Sequence, residues 1–81
     1  MDVLYFAWVR ERIGHPKDKI ETNAGTVREL VEELRSREER YEAAFADLDA
    51  LRVAVDQELT DFDASLDGAR EVAFFPPMTG G

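Results

Sequence analysis

The chain has 81 residues, 18 of them acidic and 10 basic, a net charge of -8 and no cysteine. That length makes one domain with one modest core, and the missing thiol excludes disulfides and cysteine chemistry, in keeping with a reducing cytoplasm. So acidic a surface repels phosphate backbones and anionic lipid, so neither nucleic acid nor a membrane is an expected partner, whereas a protein with a basic face is.

The longest apolar run, Val3 to Val9, falls far short of the roughly 20 residues that span a bilayer, and the start has no signal-peptide pattern. This run is aromatic and partly β-branched, and predicts a central strand. Gly14 and Pro16 break it, after a helical turn over 10–13. Asp18 to Thr22 alternates weakly and predicts an edge strand, followed by a turn at 23–25. Only Lys17 and Lys19 are lysines, and both sit near the lone His15 in what reads as a loop.

The stretch from Thr26 to Arg40 predicts the main helix. Thr26 and Glu29 form a capping box, and Val27, Leu30, Val31 and Leu34 recur at i, i+3, i+4 and i+7. A shorter helix follows, with Tyr41, Ala44, Phe45 and Leu48 on one side. Leu51, Val53 and Val55 alternate with Arg52 and Ala54 in a half-buried strand. Asp56-Gln57 makes a tight turn into a short strand over 58–62, and Asp67-Gly68 is a strong turn signal. In the last strand, Arg70 to Phe75, Val72 and Phe74 point one way and Ala73 and Phe75 the other.

The most apolar strands are the first and the last, which places them side by side and parallel in the middle of the sheet. Two hairpins with a helix across one sheet face make an α+β, β-grasp arrangement: a mixed sheet of about five strands packed on one main helix. Residues 1–75 form this domain, and residues 76–81 are expected to be a flexible C-terminal diglycine tail.

Nothing in the body of the chain has the pattern of an active site. One histidine and no cysteine make no metal cluster, so no metal and no bound cofactor is expected. His15, between Gly14 and Pro16, reads as a solvated loop residue. The glycines at 14, 25 and 68 stand alone in separate turns and make no phosphate-cradling loop.

The ending is different. Pro76 and Pro77 cannot donate ladder hydrogen bonds, so the sheet stops after Phe75. The segment 76–81 reaches at most about 20 Å. Gly80 and Gly81 have no side chains, which makes the end thin enough to enter a narrow channel and leaves the α-carboxylate open.

The ending Val72 to Gly81, "VAFFPPMTGG", together with "VLYFAWVRERIG" near the start and "VAVDQEL" in the middle, resembles the ubiquitin-like sulfur carriers that serve as small subunits of molybdopterin synthases. The resemblance covers essentially the whole chain. Met78 stands where valine is common, and Ala69-Arg70 stands where an acidic residue often follows the Asp-Gly turn. Neither departure touches the reactive end.

The resemblance implies a mechanism. An E1-like adenylating enzyme uses ATP to convert the Gly81 carboxylate to a glycyl adenylate. A sulfur donor displaces AMP and leaves a thiocarboxylate, a 1-thioglycine, on Gly81. The tail then enters the large catalytic subunit, the partner in a two-plus-two complex. There the sulfur goes to a cyclic pyranopterin phosphate, building molybdopterin for the molybdenum cofactor. The small subunit supplies no active site of its own, and the substrate phosphate is expected on the partner. Positions matching the family's interface with the large subunit are Phe6, Leu59, Phe75, Pro76, Pro77, Met78 and Thr79, with Gly80 and Gly81 at the reacting end. Two other readings share the diglycine: a sulfur carrier for thiamine synthesis, and a protein modifier forming isopeptide bonds.

Overall fold

The computed structural model describes residues 1–77, so Met78, Thr79, Gly80 and Gly81 lie outside the described residues. In chain order the elements are β1 (Asp2–Tyr5), α1 (Ala7–Ile13), β2 (Lys17–Lys19), α2 (Val27–Arg35), α3 (Glu39–Ala44), a 3-10 turn (Leu48–Ala50), β3 (Arg52–Val55), β4 (Glu58–Thr60) and β5 (Glu71–Phe75). The strands make one mixed sheet in the order β2-β1-β5-β3-β4. The β1 and β5 strands pair parallel at its centre, Val3 opposite Val72 and Tyr5 opposite Phe74. Every other pairing is antiparallel. This is the β-grasp arrangement that the apolar first and last strands pointed to.

One face of the sheet is covered by the helices. Val3, Tyr5, Val53, Val72 and Phe74 meet Val27, Leu30, Val31 and Leu34 of α2, and all are at most 1% exposed. The α2 face is the one its i, i+3, i+4 spacing prescribes. Its start is capped as expected: Thr26 Oγ1 accepts from the Glu29 N–H at 3.2 Å, while Glu29 Oε2 accepts from the Gly25 N–H at 2.8 Å. The return bond thus lands one residue before the N-cap. The helix ends at Arg35, so the expected length to Arg40 divides into α2 and α3, with a break over 36–38.

Two boundaries depart from expectation. The run Val3 to Val9 is not a single strand: β1 ends at Tyr5, and Ala7 to Val9 open α1. Phe6 still donates its N–H to Phe74 O at 3.1 Å, and Ala7 then turns the chain with a left-handed φ of 53°. The reason is the core. As a helix, Val9 and Ile13 lie four residues apart on one face, and both are fully buried. Gly14 closes α1 with φ 99°, its N–H bonded to Arg10 O at 2.8 Å. The edge strand covers Lys17–Lys19, not Asp18 to Thr22, so both lysines are strand residues and not loop residues.

Candidate functional site

The tail leaves from β5, which lies between β1 and β3. Alternation along β5 sends Val72 and Phe74 into the core, and Glu71, Ala73 and Phe75 to the face without helices. The strand register extends this outer face sideways. Leu4, Ala73, Ala54 and Leu59 fall in one row across four strands. Arg52 stands opposite Phe75, and Phe6 follows Tyr5 at the end of β1. Phe6 is 47% exposed and Leu59 72% exposed, and these are the exposed large hydrophobics among the described residues. Phe75, Pro76 and Pro77 are half-buried. The register therefore sets Phe6, one residue past the end of β1, beside Phe75 of the neighbouring β5 where the tail begins, with Leu59 at the far edge on the same face. Met78, Thr79, Gly80 and Gly81 belong to the undescribed end.

Sequence reasoning missed the charge layout of this face. Lys17 pairs with Leu4 and Lys19 with Asp2 in the ladder, so both lysines flank the apolar row. With Arg52, they stand against only Asp2 and Glu71 on the same strands' outward positions. The net charge of -8 is therefore carried by the helical layer and the connections, not by the face beside the tail. The expectation that overall acidity makes this face complementary to a basic one is corrected by the register, because alternation places the lysines outward and Asp18 inward. The signal was the Lys17-Asp18-Lys19 alternation itself.

His15 is also placed differently from expectation. It is not simply a solvated loop residue. Its Nε2 lies 2.9 Å from Asp18 Oδ1, and Tyr5 and Tyr41 both donate their hydroxyls to Asp18 Oδ2, at 2.8 and 2.7 Å. A carboxylate facing Nε2 accepts, so this nitrogen carries the hydrogen. Burial alone works to raise the Asp18 pKa, but the bonds from His15, Tyr41 and Tyr5 outweigh it and hold the carboxyl below its usual range. The same contacts act oppositely on the phenols. Burial and the Asp18 carboxylate push Tyr41 up to about 12, and Tyr5 higher still. The cluster ties β1, β2 and α3 together beneath the sheet edge. It holds no nucleophile activated for attack, since both hydroxyls are kept protonated.

Among the described residues no group of three or more His, Cys, Asp and Glu could hold a metal ion. No helix among them is long and apolar enough to cross a membrane. A cleft of about 630 Å³ opens beside Met1, Ile20 and Glu33. It lies at the start of β1, whereas the tail leaves from the opposite end of β5, so we set it apart from the site. What the described residues offer here is a paired strand, β5, leading out of the sheet through Pro76 and Pro77 next to an apolar surface.

Comparison with known proteins bears on that arrangement. The model of the ThiS family matches residues 3–81. The molybdopterin synthase sulfur carrier subunit of Escherichia coli (strain K12) is 40% identical over 79 residues, covering 98% of this chain and 96% of that protein. The molybdopterin synthase sulfur carrier subunit of Haemophilus influenzae is 33% identical over 81 residues, covering 100% and 99%. Among solved structures, SAMP1 from Haloferax volcanii matches with a TM-score of 0.78 at 24% identity, covering 100% of this chain and 98% of that one. At that identity the likeness is one of fold.

Proposed function

The chain belongs to the ThiS family, and from that membership we propose that it is the sulfur carrier subunit of a molybdopterin synthase, with the Gly81 carboxyl as the atom-carrying end. The observation that carries this reading is the full-length match to two molybdopterin synthase sulfur carrier subunits, at 40% and 33% identity.

A carboxylate is a poor electrophile, so it must first be activated. An adenylating enzyme transfers AMP from ATP to Gly81 and releases pyrophosphate. A sulfur donor then displaces AMP, and the thiocarboxylate remains. Its sulfur is nucleophilic near neutral pH, so the carrier needs no base of its own. ATP is used by the activating enzyme and is not held by this chain. The partner is the large catalytic subunit, which binds the cyclic pyranopterin phosphate; the thiocarboxylate sulfur bonds to a carbon of that substrate, and water then cleaves the acyl C–S bond, leaving the sulfur on the pterin and the carboxylate on Gly81.

In this reading Phe6, Leu59 and Phe75 form the docking surface, with Pro76 and Pro77 directing Met78, Thr79, Gly80 and Gly81 into the partner. The exposure of Phe6 and Leu59 on the face opposite the helices supports it, since a large apolar side chain left in water gains from being covered. Beside Arg52, Lys17 and Lys19, the partner surface that fits is apolar at its centre with acidic groups at its rim.

The test is the mass of the C-terminal peptide after incubation with ATP, a sulfide source and the cognate activating enzyme. Fragmentation must place the change on Gly81, because oxidation of Met78 nearly matches the replacement of oxygen by sulfur in mass. Sulfur on Gly81, passed on when the large subunit and the pterin precursor are added, is the expected result. An unmodified Gly81 with an active enzyme would refute the carrier reading, and isopeptide adducts on other proteins in place of a thiocarboxylate would favour the protein modifier.

A further inference from the structure

The β2 strand is one edge of the sheet. Its backbone groups divide between two directions. Met1 and Ile20 exchange both hydrogen bonds, at 3.2 and 2.9 Å, and Tyr5 donates to Pro16 O at 2.9 Å. Bonded and non-bonded pairs alternate along an antiparallel ladder, so Val3 and Asp18 form a bonded pair, while Asp2–Lys19 and Leu4–Lys17 do not. The other side of β1 agrees. Asp2 donates to Arg70 O at 2.9 Å and Phe6 to Phe74 O at 3.1 Å, so the even residues of β1 turn to β5. The N–H and C=O groups of Lys17 and Lys19 therefore point away from β1, to the open edge, where no strand of the described residues meets them.

The side chains decide what suits that edge. Alternation sends Lys17 and Lys19 to the outer face and Asp18 inward, where Tyr5, Tyr41 and His15 bond it. Both lysines are exposed. The acid beside them, Asp2, lies 3.9 Å from Lys17 Nζ, a loose contact between half-exposed groups. These are the chain's two lysines, and both stand on one strand of three residues. Charge on an edge guards a sheet against stray pairing, and here it excludes one occupant. A second copy adding by its own β2 would set lysine against lysine. The same charges favour a strand that brings acids.

We propose that the β2 edge receives an extended acidic segment of another protein as a sixth, antiparallel strand. One incoming residue faces Lys17 and another faces Lys19, and each exchanges both backbone bonds with the lysine it faces. Directly paired residues share a face of the sheet, so the two incoming side chains lie beside the ammonium groups. The segment that fits therefore carries two acidic residues with a single residue between them. Gly81 and the tail take no part, so the edge binds such a segment whether or not the chain carries sulfur.

The experiment is an amide NMR titration of the full chain with a synthetic peptide alternating glutamate and valine. Saturable shifts centred on the Lys17 and Lys19 amides, with slowed exchange of both, are expected at or below about 1 mM peptide. A peptide alternating lysine and valine should bind at least about tenfold more weakly, and the double variant Lys17→Glu, Lys19→Glu should reverse that preference. Both positions are exposed, so the variant keeps the core intact. N-methyl groups separate strand addition from charge attraction alone. Methylating the glutamate amides, which face Lys17 and Lys19, should weaken binding at least about tenfold, while methylating the valine amides, which face away, should not. The proposal is overturned by the absence of saturation, by shifts centred on Leu4, Ala73 and Leu59, by equal binding of the two peptides, or by indifference to where the methyl groups stand.

Discussion

Phe74 and Phe75 are neighbours with opposite fates. Phe74 is fully buried, with Tyr5 stacked at 6.5 Å and Phe45 edge-on at 4.9 Å. Phe75 is half-buried on the outer face, at the root of the tail. Phe74→Ala should cost about 3–5 kcal/mol, the usual value for a core phenylalanine. Phe75→Ala should cost much less and instead weaken capture of the large subunit. Urea unfolding and a binding titration on both variants separate the two, and a large stability loss for Phe75→Ala with unchanged binding would sink the assignment. A second single-residue test lies in the β3–β4 turn. Asp56 and Gln57 both have left-handed φ, 49° and 70°, as a two-residue hairpin turn with the right twist demands. Asp56 is needed there, because its Oδ1 accepts from the N–H groups of Arg70 and Glu71 at 2.9 and 3.0 Å. Gln57 has no such side-chain bond among the described contacts, so Gln57→Gly should stabilise the fold by about 0.5–1 kcal/mol, read as a higher urea midpoint.

At the scale of elements, α2 was legible because its signals agree. A capping box, an apolar stripe of helical period and a charged opposite face all point to one structure. Thr26→Ala should therefore lower stability by about 1 kcal/mol in a denaturant melt, and Thr26→Ser should restore most of it. The junction of β1 and α1 was not legible, for a physical reason. In Val3 to Val9 every residue is apolar, so the run carries no period to distinguish strand from helix. The deciding pair, Val9 and Ile13, extends past the run into Arg10, Glu11 and Arg12. The edge strand was shifted for a similar reason: Lys17-Asp18-Lys19 has no apolar residue, and only pairing to β1 and the inward bonds of Asp18 make it a strand.

At the scale of the whole molecule, the Tyr5–His15–Asp18–Tyr41 cluster gives stability a pH dependence with two limbs. The folded pKa of Asp18 is depressed below its ordinary value of 3.8, so its contribution is present above that value and is lost as pH falls through the folded pKa. Tyr41 is raised from 10.0 to about 12, and Tyr5 is raised further, so their contribution is complete below pH 10.0 and is lost as pH rises through the folded values. Asp18→Asn should lower stability most near neutrality, and the gap to wild type should narrow on both limbs. Urea midpoints for the two proteins across pH give the result, and a gap independent of pH would contradict the assigned contacts. The salt response follows from charge layout: with Lys17, Lys19 and Arg52 beside the apolar row, added salt should weaken partner capture only modestly, because rim charges mainly set the association rate.

By itself the sequence determined the element types that carry strong local signals, the parallel pairing of the first and last strands, and the diproline stop before the diglycine end. These are read from the chain because periodicity, capping and the missing proline N–H act over a few residues. Only the tertiary structure decided where the apolar first run turns from strand to helix, which face carries the lysines, and that His15 and Asp18 meet Tyr5 and Tyr41. Each depends on contacts between residues distant in the chain, such as Tyr41 with Asp18 and Leu4 with Lys17. No local pattern encodes a partner that only folding supplies.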